Sequence, residues 1–131
     1  MENKVKSALV NIDRVLNNKQ LLKKQRDALS SFDRYNELEG KCGLYTRVSY
    51  LMTLNNLGVN VRKPYEKMTK EDIQKYFVTI SKERTEGTIN LQKAHVKRFF
   101  KFLKWIKVDK EKKDERRKTL VISNLLTVYD G

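Results

Sequence analysis

The sequence predicts an all-α protein: a small four-helix bundle with an extra N-terminal helix and a charged C-terminal linker. Apolar residues make up 39% of the 131 residues and aromatic residues 9%, enough for one buried core. Five glycines and one proline leave few turn positions, which favours long regular elements over a loop-rich β-sandwich or barrel. Several segments also repeat apolar residues at helical spacing, which makes those elements helices.

The first two helices are predicted over residues 5–17 and 20–38. Val5, Leu9, Ile12 and Leu16 recur at the spacing of one helix face. The second segment carries its own apolar stripe, formed by Leu22, Leu29, Phe32 and Tyr35. Gly40 and Gly43 then bracket a turn, because glycine accepts the backbone angles that end a helix.

The third helix is predicted over residues 45–57, with Gly58 as its C-terminal cap. Residues 58–68 form a connection that holds the only proline. The fourth helix is predicted over residues 70–83, because Thr69 can accept hydrogen bonds from its first free N–H groups. Glu71 and Asp72 suit the positive end of that helix dipole.

The fifth helix carries the clearest functional signal. Gly87 breaks the chain, Thr88 caps the helix, and the pattern runs to about Lys107. Placed at 100° steps, six of its apolar residues fall within about 120° of arc, beside a polar arc of about 80°. The six are Ile89, Val96, Phe99, Phe100, Leu103 and Ile106. That polar arc contains Asn90, Lys93, Lys97, Lys101 and Lys104. No acidic residue occurs from Thr88 to Val108, where Arg98 adds to the basic residues. Such a face suits the phosphate backbone or major groove of DNA, although a solvated lysine-rich face has the same pattern.

The last part of the chain is predicted as a linker and tail. Residues 109–118 are all charged and cannot line a core. Leu120 to Leu126 is an apolar segment, which is expected to pack against another part of a protein. We therefore divide the chain into an N-terminal helical extension (1–19), a central domain (20–108), and a charged linker with its tail (109–131).

Composition excludes several kinds of function. Cys42 is the only cysteine and cannot form an internal disulfide, and together with His95, the only histidine, it cannot supply the usual zinc site. We expect no metal and no cofactor. No apolar run is long enough for a membrane span, and no glycine-rich phosphate loop is present. A net charge of +13 indicates a polyanionic partner: nucleic acid first, an anionic membrane surface second.

Three segments in order resemble one protein family. Residues 43–54 (GLYTRVSYLMTL) look like a helix of archaeal and phage tyrosine recombinases, and residues 68–73 (MTKEDI) are similar to the start of their next helix. The run from Gly87 to Leu103 resembles a third helix of that family. The resemblance covers residues 20–107 and belongs to the N-terminal core-binding domain. In that family this domain is a SAM-like helical bundle that clamps the recombination site opposite the catalytic domain.

The resemblance implies a non-catalytic DNA-binding domain of a site-specific integrase. It places DNA contacts at the start of the third helix and along the fifth, at Lys41, Arg47, Tyr50, Thr88, Asn90, Lys93, Lys97 and Lys101. Residues 125–127 (LLT) are similar to the start of the catalytic half, so the catalytic domain is expected outside this chain. The expected partners are double-stranded DNA, that catalytic domain and further protomers of a recombinase assembly on DNA, but no membrane. The expected location is the cytoplasm, with the nucleoid.

Three alternatives compete with this interpretation. His95, Arg98 and a later Tyr129 are similar to a recombinase active site, but His95 falls at the edge of the apolar face and is better explained as a satisfied, partly buried histidine. A stand-alone DNA-binding regulator would show the same basic helix. A SAM-like protein-interaction module is the third alternative, and the apolar tail is its main support.

Overall fold

The computed structural model describes residues 2–40 and 42–107, and all regular secondary structure within them is helical. The helices are α1 (Glu2–Leu16), α2 (Lys23–Glu39), α3 (Leu44–Val61) and α4 (Lys70–Ser81), with a 3₁₀ turn at Tyr65–Lys67. The last helix, α5, covers residues 86–107. The predicted all-α class is therefore confirmed. The chain divides into two compact units, residues 1–100 and 101–131. The predicted linker and tail over 109–131 lie outside the described residues.

The N-terminal helix belongs to the first compact unit. α1 packs against α3 and α2, and its inner face buries Ala8, Ile12 and Val15. Just after α1, Asn18 Nδ2 donates a hydrogen bond to Asn55 Oδ1 of α3 at 2.8 Å. The predicted extension over residues 1–19 thus contributes directly to the core.

A buried glutamine joins the start of α2 to the end of α3. The Gln25 side chain accepts a hydrogen bond from the Leu22 backbone N–H at 2.8 Å. Its Nε2 donates to the carbonyl oxygens of Gly58 at 3.0 Å and Lys63 at 2.7 Å. Gln25 is fully buried, so these hydrogen bonds offset the cost of removing its amide from water. They also hold the chain in place where it leaves α3.

The prediction that Gly58 caps α3 is wrong. The helix continues to Val61 and ends on Arg62, which adopts the left-handed conformation (φ 54°). Gly58 lies inside this helix, where a side chain does not fit, because a Cβ would come within 2.6 Å of Tyr65 Oη and 2.9 Å of Leu21 Cδ2. Glycine is required at position 58 because of this close packing, and not because of its φ angle.

The start of α4 agrees with the sequence, whereas α5 begins earlier than predicted. Thr69 caps α4: the Asp72 backbone N–H donates to Thr69 Oγ1 at 3.1 Å, and the Thr69 N–H donates to Asp72 Oδ2 at 3.0 Å. At α5 the prediction of Thr88 as cap is wrong. Helical residues begin at 86, and the Thr88 N–H donates to Thr85 Oγ1 at 3.3 Å. Thr85 is therefore the capping residue.

An aromatic cluster forms the centre of the first unit. Phe99 of α5 contacts the rings of Phe32 and Tyr65 edge to face, with centroids 5.0 and 4.9 Å apart. Both Phe99 and Phe32 are almost fully buried. Tyr65 Oη donates to the Leu54 carbonyl at 2.6 Å, which satisfies the one polar atom of the cluster. These contacts fix α5 against α2 and α3 and so determine which face of α5 remains outside.

Candidate nucleic-acid interface

The outward face of α5 is basic within the first compact unit. Asn90, Lys93 and Lys97 are exposed, whereas Ile89 and Val96, on the other side of the same helix, are buried. The two lysines and the asparagine follow one another at spacings of three and four residues, so they share a surface about one side chain wide. The sequence-derived division of α5 into an apolar and a basic arc is confirmed for these residues.

Lys93 is held in place by the neighbouring helix. Its Nζ lies 5.8 Å from the centroid of the Phe77 ring on α4, and Phe77 itself is mostly buried. A lysine over an aromatic face keeps its charge in solvent while its stem packs. The contact with Phe77 therefore restricts the positions that the Lys93 ammonium group can take beside α5.

A stack of three side chains connects α3 with α5. The Arg98 guanidinium carbon lies 5.8 Å from the centroid of the Tyr50 ring. Tyr50 in turn contacts the His95 ring edge to face at 4.7 Å, and His95 Nδ1 lies 3.0 Å from Thr53 Oγ1. The stack orients the exposed Arg98 side chain over α3 and leaves its N–H groups available to a ligand.

His95 is a structural residue. It is only 6% exposed, and burial lowers the pKa of its imidazole, so the ring is neutral at pH 7. One ring nitrogen is already engaged by Thr53. The prediction of a satisfied, partly buried histidine is therefore confirmed, and the burial is more complete than predicted.

Arg47 forms an ion pair inside the domain. Its Nε and Nη2 donate to the two carboxylate oxygens of Asp33, each at 2.9 Å, and Glu37 lies 3.6 Å from Nη2. The two side chains of the main pair are only 13% and 8% exposed. The hydrogen bond with Asp33 raises the pKa of Arg47. The positive charge is thus balanced by two carboxylates, and its geometry joins α2 to α3.

Cys42 is not an activated thiol. Burial raises the pKa of the Cys42 thiol, and the nearby Arg98 and Arg47 offset this only in part. A raised pKa leaves the group protonated at neutral pH, where it is a poor nucleophile.

Comparison with known families identifies the domain. Residues 29–107, more than half of the chain, match the family described as phage integrase, N-terminal SAM-like domain. The chain belongs to this family. The match begins within α2 and ends with the described part of α5, so α1 lies before it. No curated protein and no solved structure matches the chain. The predicted family and the predicted SAM-like fold are both confirmed, and the matched domain is the N-terminal, non-catalytic domain of integrases.

The integrase domain brings together only some of the residues expected to contact DNA. Asn90, Lys93, Lys97 and Arg98 occupy one exposed side of α5. Tyr50 is only 7% exposed and Thr88 is half-buried, with its hydroxyl 3.0 Å from that of Thr85. Lys101 and Lys104 are exposed on α5 within the second unit, and Lys41 lies outside the described residues. DNA contact by each of these residues remains a prediction.

Two residues of the site were missed at the level of sequence. Asp33 was not connected with Arg47, and Thr53 was not connected with His95. Asp33 adjoins the apolar residues Leu29 and Phe32 on α2, and a carboxylate at the margin of a buried stripe signals a buried cationic partner. No comparable signal existed for Thr53, since a threonine hydroxyl satisfies itself within many helices.

Residues 2–40 and 42–107 contain neither a metal-binding cluster nor a membrane-spanning helix. No group of three His, Cys, Asp or Glu side chains within residues 2–40 and 42–107 could hold a metal ion. Over the same ranges, no helix is both long and apolar enough to cross a membrane.

Proposed function

We propose that this integrase domain binds double-stranded DNA as the core-binding part of a site-specific tyrosine recombinase. In this proposal it clamps the recombination site through backbone and major-groove contacts, while a catalytic domain outside these 131 residues cleaves and rejoins the strands. The observation that carries the proposal is the exposed basic side of α5. Asn90, Lys93, Lys97 and Arg98 share it, and no acidic residue occurs in the helix after Glu86.

The side chains of this face divide into two roles. Lys93 and Lys97 are compact charges on flexible stems, which suits phosphate oxygens. Asn90 carries an amide that can bond the N6 and N7 atoms of adenine, and Arg98 carries a guanidinium that can bond O6 and N7 of guanine or a phosphate. The stacking of Arg98 on Tyr50 lowers the entropy lost when that guanidinium is fixed on DNA.

In this proposal Arg47 and Tyr50 support the DNA-binding side chains and do not contact DNA themselves. The guanidinium of Arg47 is already committed to Asp33, and transferring it to phosphate would strand a nearly buried carboxylate. Tyr50 orients Arg98 from beneath. We therefore assign the direct contacts to α5 and the support of α5 to α3.

The domain itself performs no strand chemistry in this proposal. The chain has one histidine, and that residue is buried against Thr53 and Tyr50. A recombinase needs its histidine and arginines around the reacting phosphate, where they stabilise developing charge. The proposed partners are duplex DNA, the catalytic domain of the same recombinase and other protomers on that DNA. The proposed location is with the nucleoid.

The salt dependence of DNA affinity tests the proposal. Two to three phosphate contacts, from Lys93, Lys97 and Arg98, give a slope of log affinity against log salt of about −2 to −3. Affinity should then fall roughly 16- to 64-fold between about 50 and 200 mM salt. Fluorescence anisotropy with a labelled duplex measures both quantities.

A charge-matched pair of variants separates the α5 face from the net charge. Lys97→Glu removes an α5 contact, whereas Lys24→Glu makes the same change of charge at an exposed position on α2. We expect Lys97→Glu to weaken DNA binding by about tenfold or more. The slope of log affinity against log salt should also become less negative by about 1, the value of one phosphate contact. Equal losses for both variants would mean that only net charge attracts DNA.

Two further outcomes distinguish the alternatives. Binding that survives the combined change of Lys93, Lys97 and Lys101 to Glu would favour a protein-interaction module. Tight, sequence-specific binding by the isolated chain would favour a stand-alone regulator, since a clamp needs its second half to enclose the duplex.

A further inference from the structure

α1 carries an apolar strip that its own domain only partly covers. Val5 is 42% exposed and Leu9 is 52% exposed, and Leu16 is half-buried. These residues lie about 70° around the helix from the buried face. α1 packs against α2 and α3 through that buried face. The strip therefore lies next to the buried face, on a helix that is already held against its own domain.

The spacing along the strip is that of a helix pair. Val5, Leu9 and Leu16 follow at intervals of four and seven residues, so they return to nearly the same side of the helix after one and two turns, as the contact residues of a helix pair do. Ile12 lies between them but is buried in its own domain. One edge of the strip is closed by the domain, because Ala8 and Val15 are buried there. A second helix can therefore approach α1 only from the side on which Val5 and Leu9 are exposed.

Among the side chains that the structure describes, those on the open edge of the strip include one charge of each sign. Lys6 and Asp13 are exposed and lie seven residues apart, so they occupy the same edge two turns from each other. Asn17 Nδ2 donates to Asp13 Oδ1 at 3.0 Å, which orients the carboxylate. In an antiparallel pair of identical helices the same edges face each other, so Lys6 of one copy meets Asp13 of the other, and the reverse.

We infer that α1 is a self-association surface whose occupant is α1 of a second copy, paired antiparallel across Val5 and Leu9. The two-fold axis passes between residues 9 and 10, which places both Lys6–Asp13 pairs in register and buries the two Leu9 side chains against each other. A parallel pair would leave both charges without partners. The association is independent of DNA and separate from the proposed interface on α5.

The contact is small, so the expected association is weak. A few apolar side chains and two solvated ion pairs per dimer suggest a dissociation constant on the order of 0.1 to 1 mM. Such an affinity matters when two copies are held close together, because tethering raises their effective concentration to about the millimolar range.

Sedimentation equilibrium of the full chain without DNA, over a concentration series across that range, tests the inference. The wild type should approach a dimer. Leu9→Glu should weaken the dimer by about tenfold or more, because it places a charge on the strip. Val78→Glu is the matched control, since Val78 is 61% exposed on α4, and it should leave association unchanged. Circular dichroism of each variant confirms that the fold is intact.

Charge reversal tests the antiparallel register. Lys6→Glu and Asp13→Lys should each weaken association about threefold to tenfold, and the double variant should restore it. Three results would overturn the inference: a monomer at every concentration, a dimer indifferent to all these changes, or no restoration in the double variant. The apolar tail is the rival occupant: if Leu125→Glu instead exposes the strip and raises self-association, the tail covers α1 and our assignment is wrong.

Discussion

Replacing Gly58 with alanine tests the packing that holds α3 in place. Helix propensity alone favours alanine inside a helix by about 1 kcal/mol. The structure predicts the opposite sign, because the new Cβ would lie 2.6 Å from Tyr65 Oη and 2.9 Å from Leu21 Cδ2. Carbon atoms at such sites pack at about 3.5 to 4.0 Å.

The ring of Tyr65 cannot move aside freely. It is 1% exposed, it contacts Phe99, and its hydroxyl donates to the Leu54 carbonyl. Overpacking costs about 1 to 3 kcal/mol, and a disturbed hydrogen bond costs about 1 more. After the gain in propensity, Gly58→Ala should lower the free energy of unfolding by about 1 to 3 kcal/mol. The expected fall in Tm is about 3 to 12 °C for a chain of this size.

Gly87→Ala is the matched control. Gly87 lies in the first turn of α5, and no atom approaches within 4 Å of a Cβ built there. This change should be neutral or stabilise the domain by up to about 1 kcal/mol. Thermal and urea unfolding, followed by circular dichroism, compare the two variants. If Gly58→Ala stabilised the protein as much as Gly87→Ala, the close approach of Tyr65 and Leu21 to α3 would be refuted.

Three further changes probe the contacts that support α5. Asp33→Ala leaves the nearly buried Arg47 without its main partner and should cost about 3 kcal/mol in urea unfolding; a neutral effect would show that the pair is dispensable. Thr69→Ala removes the cap of α4 and should cost about 1 kcal/mol in the same assay; an unchanged midpoint would contradict that role. Burial lowers the pKa of His95, so stability should be full above the unfolded pKa of about 6.5 and fall as pH decreases below it. The difference in Tm between pH 7.5 and pH 5.5 should shrink in His95→Gln, and an unchanged difference would assign the pH dependence to other groups.

The sequence predicted the features that depend on local chemistry. The cap of α4 was predictable because Thr69 and Asp72 lie three residues apart and bond each other. The exposed side of α5 was predictable because helical periodicity alone separates Lys93 and Lys97 from the buried Val96. In both cases every residue that decides the outcome lies within a few turns of one helix.

The remaining features depend on contacts between distant segments. Gly58 has the local signature of a helix cap, but α3 continues past it to Val61, and the approach of Tyr65 and Leu21 from other segments is what requires glycine there. Arg47 has the local signature of a phosphate ligand near a helix start, and only Asp33 on α2 shows that its charge is already balanced. Periodicity describes one helix at a time and cannot report such partners.

An NMR titration of the labelled chain with a short duplex, at low and then at moderate salt, tests the central claim most directly. We expect amide shifts centred on residues 90–98 of α5 and on the neighbouring start of α3, and we expect them to fade as salt rises. The α1 amides should not move with added DNA. Shifts spread over the surface in proportion to charge, or no shifts along α5, would contradict DNA binding through this face.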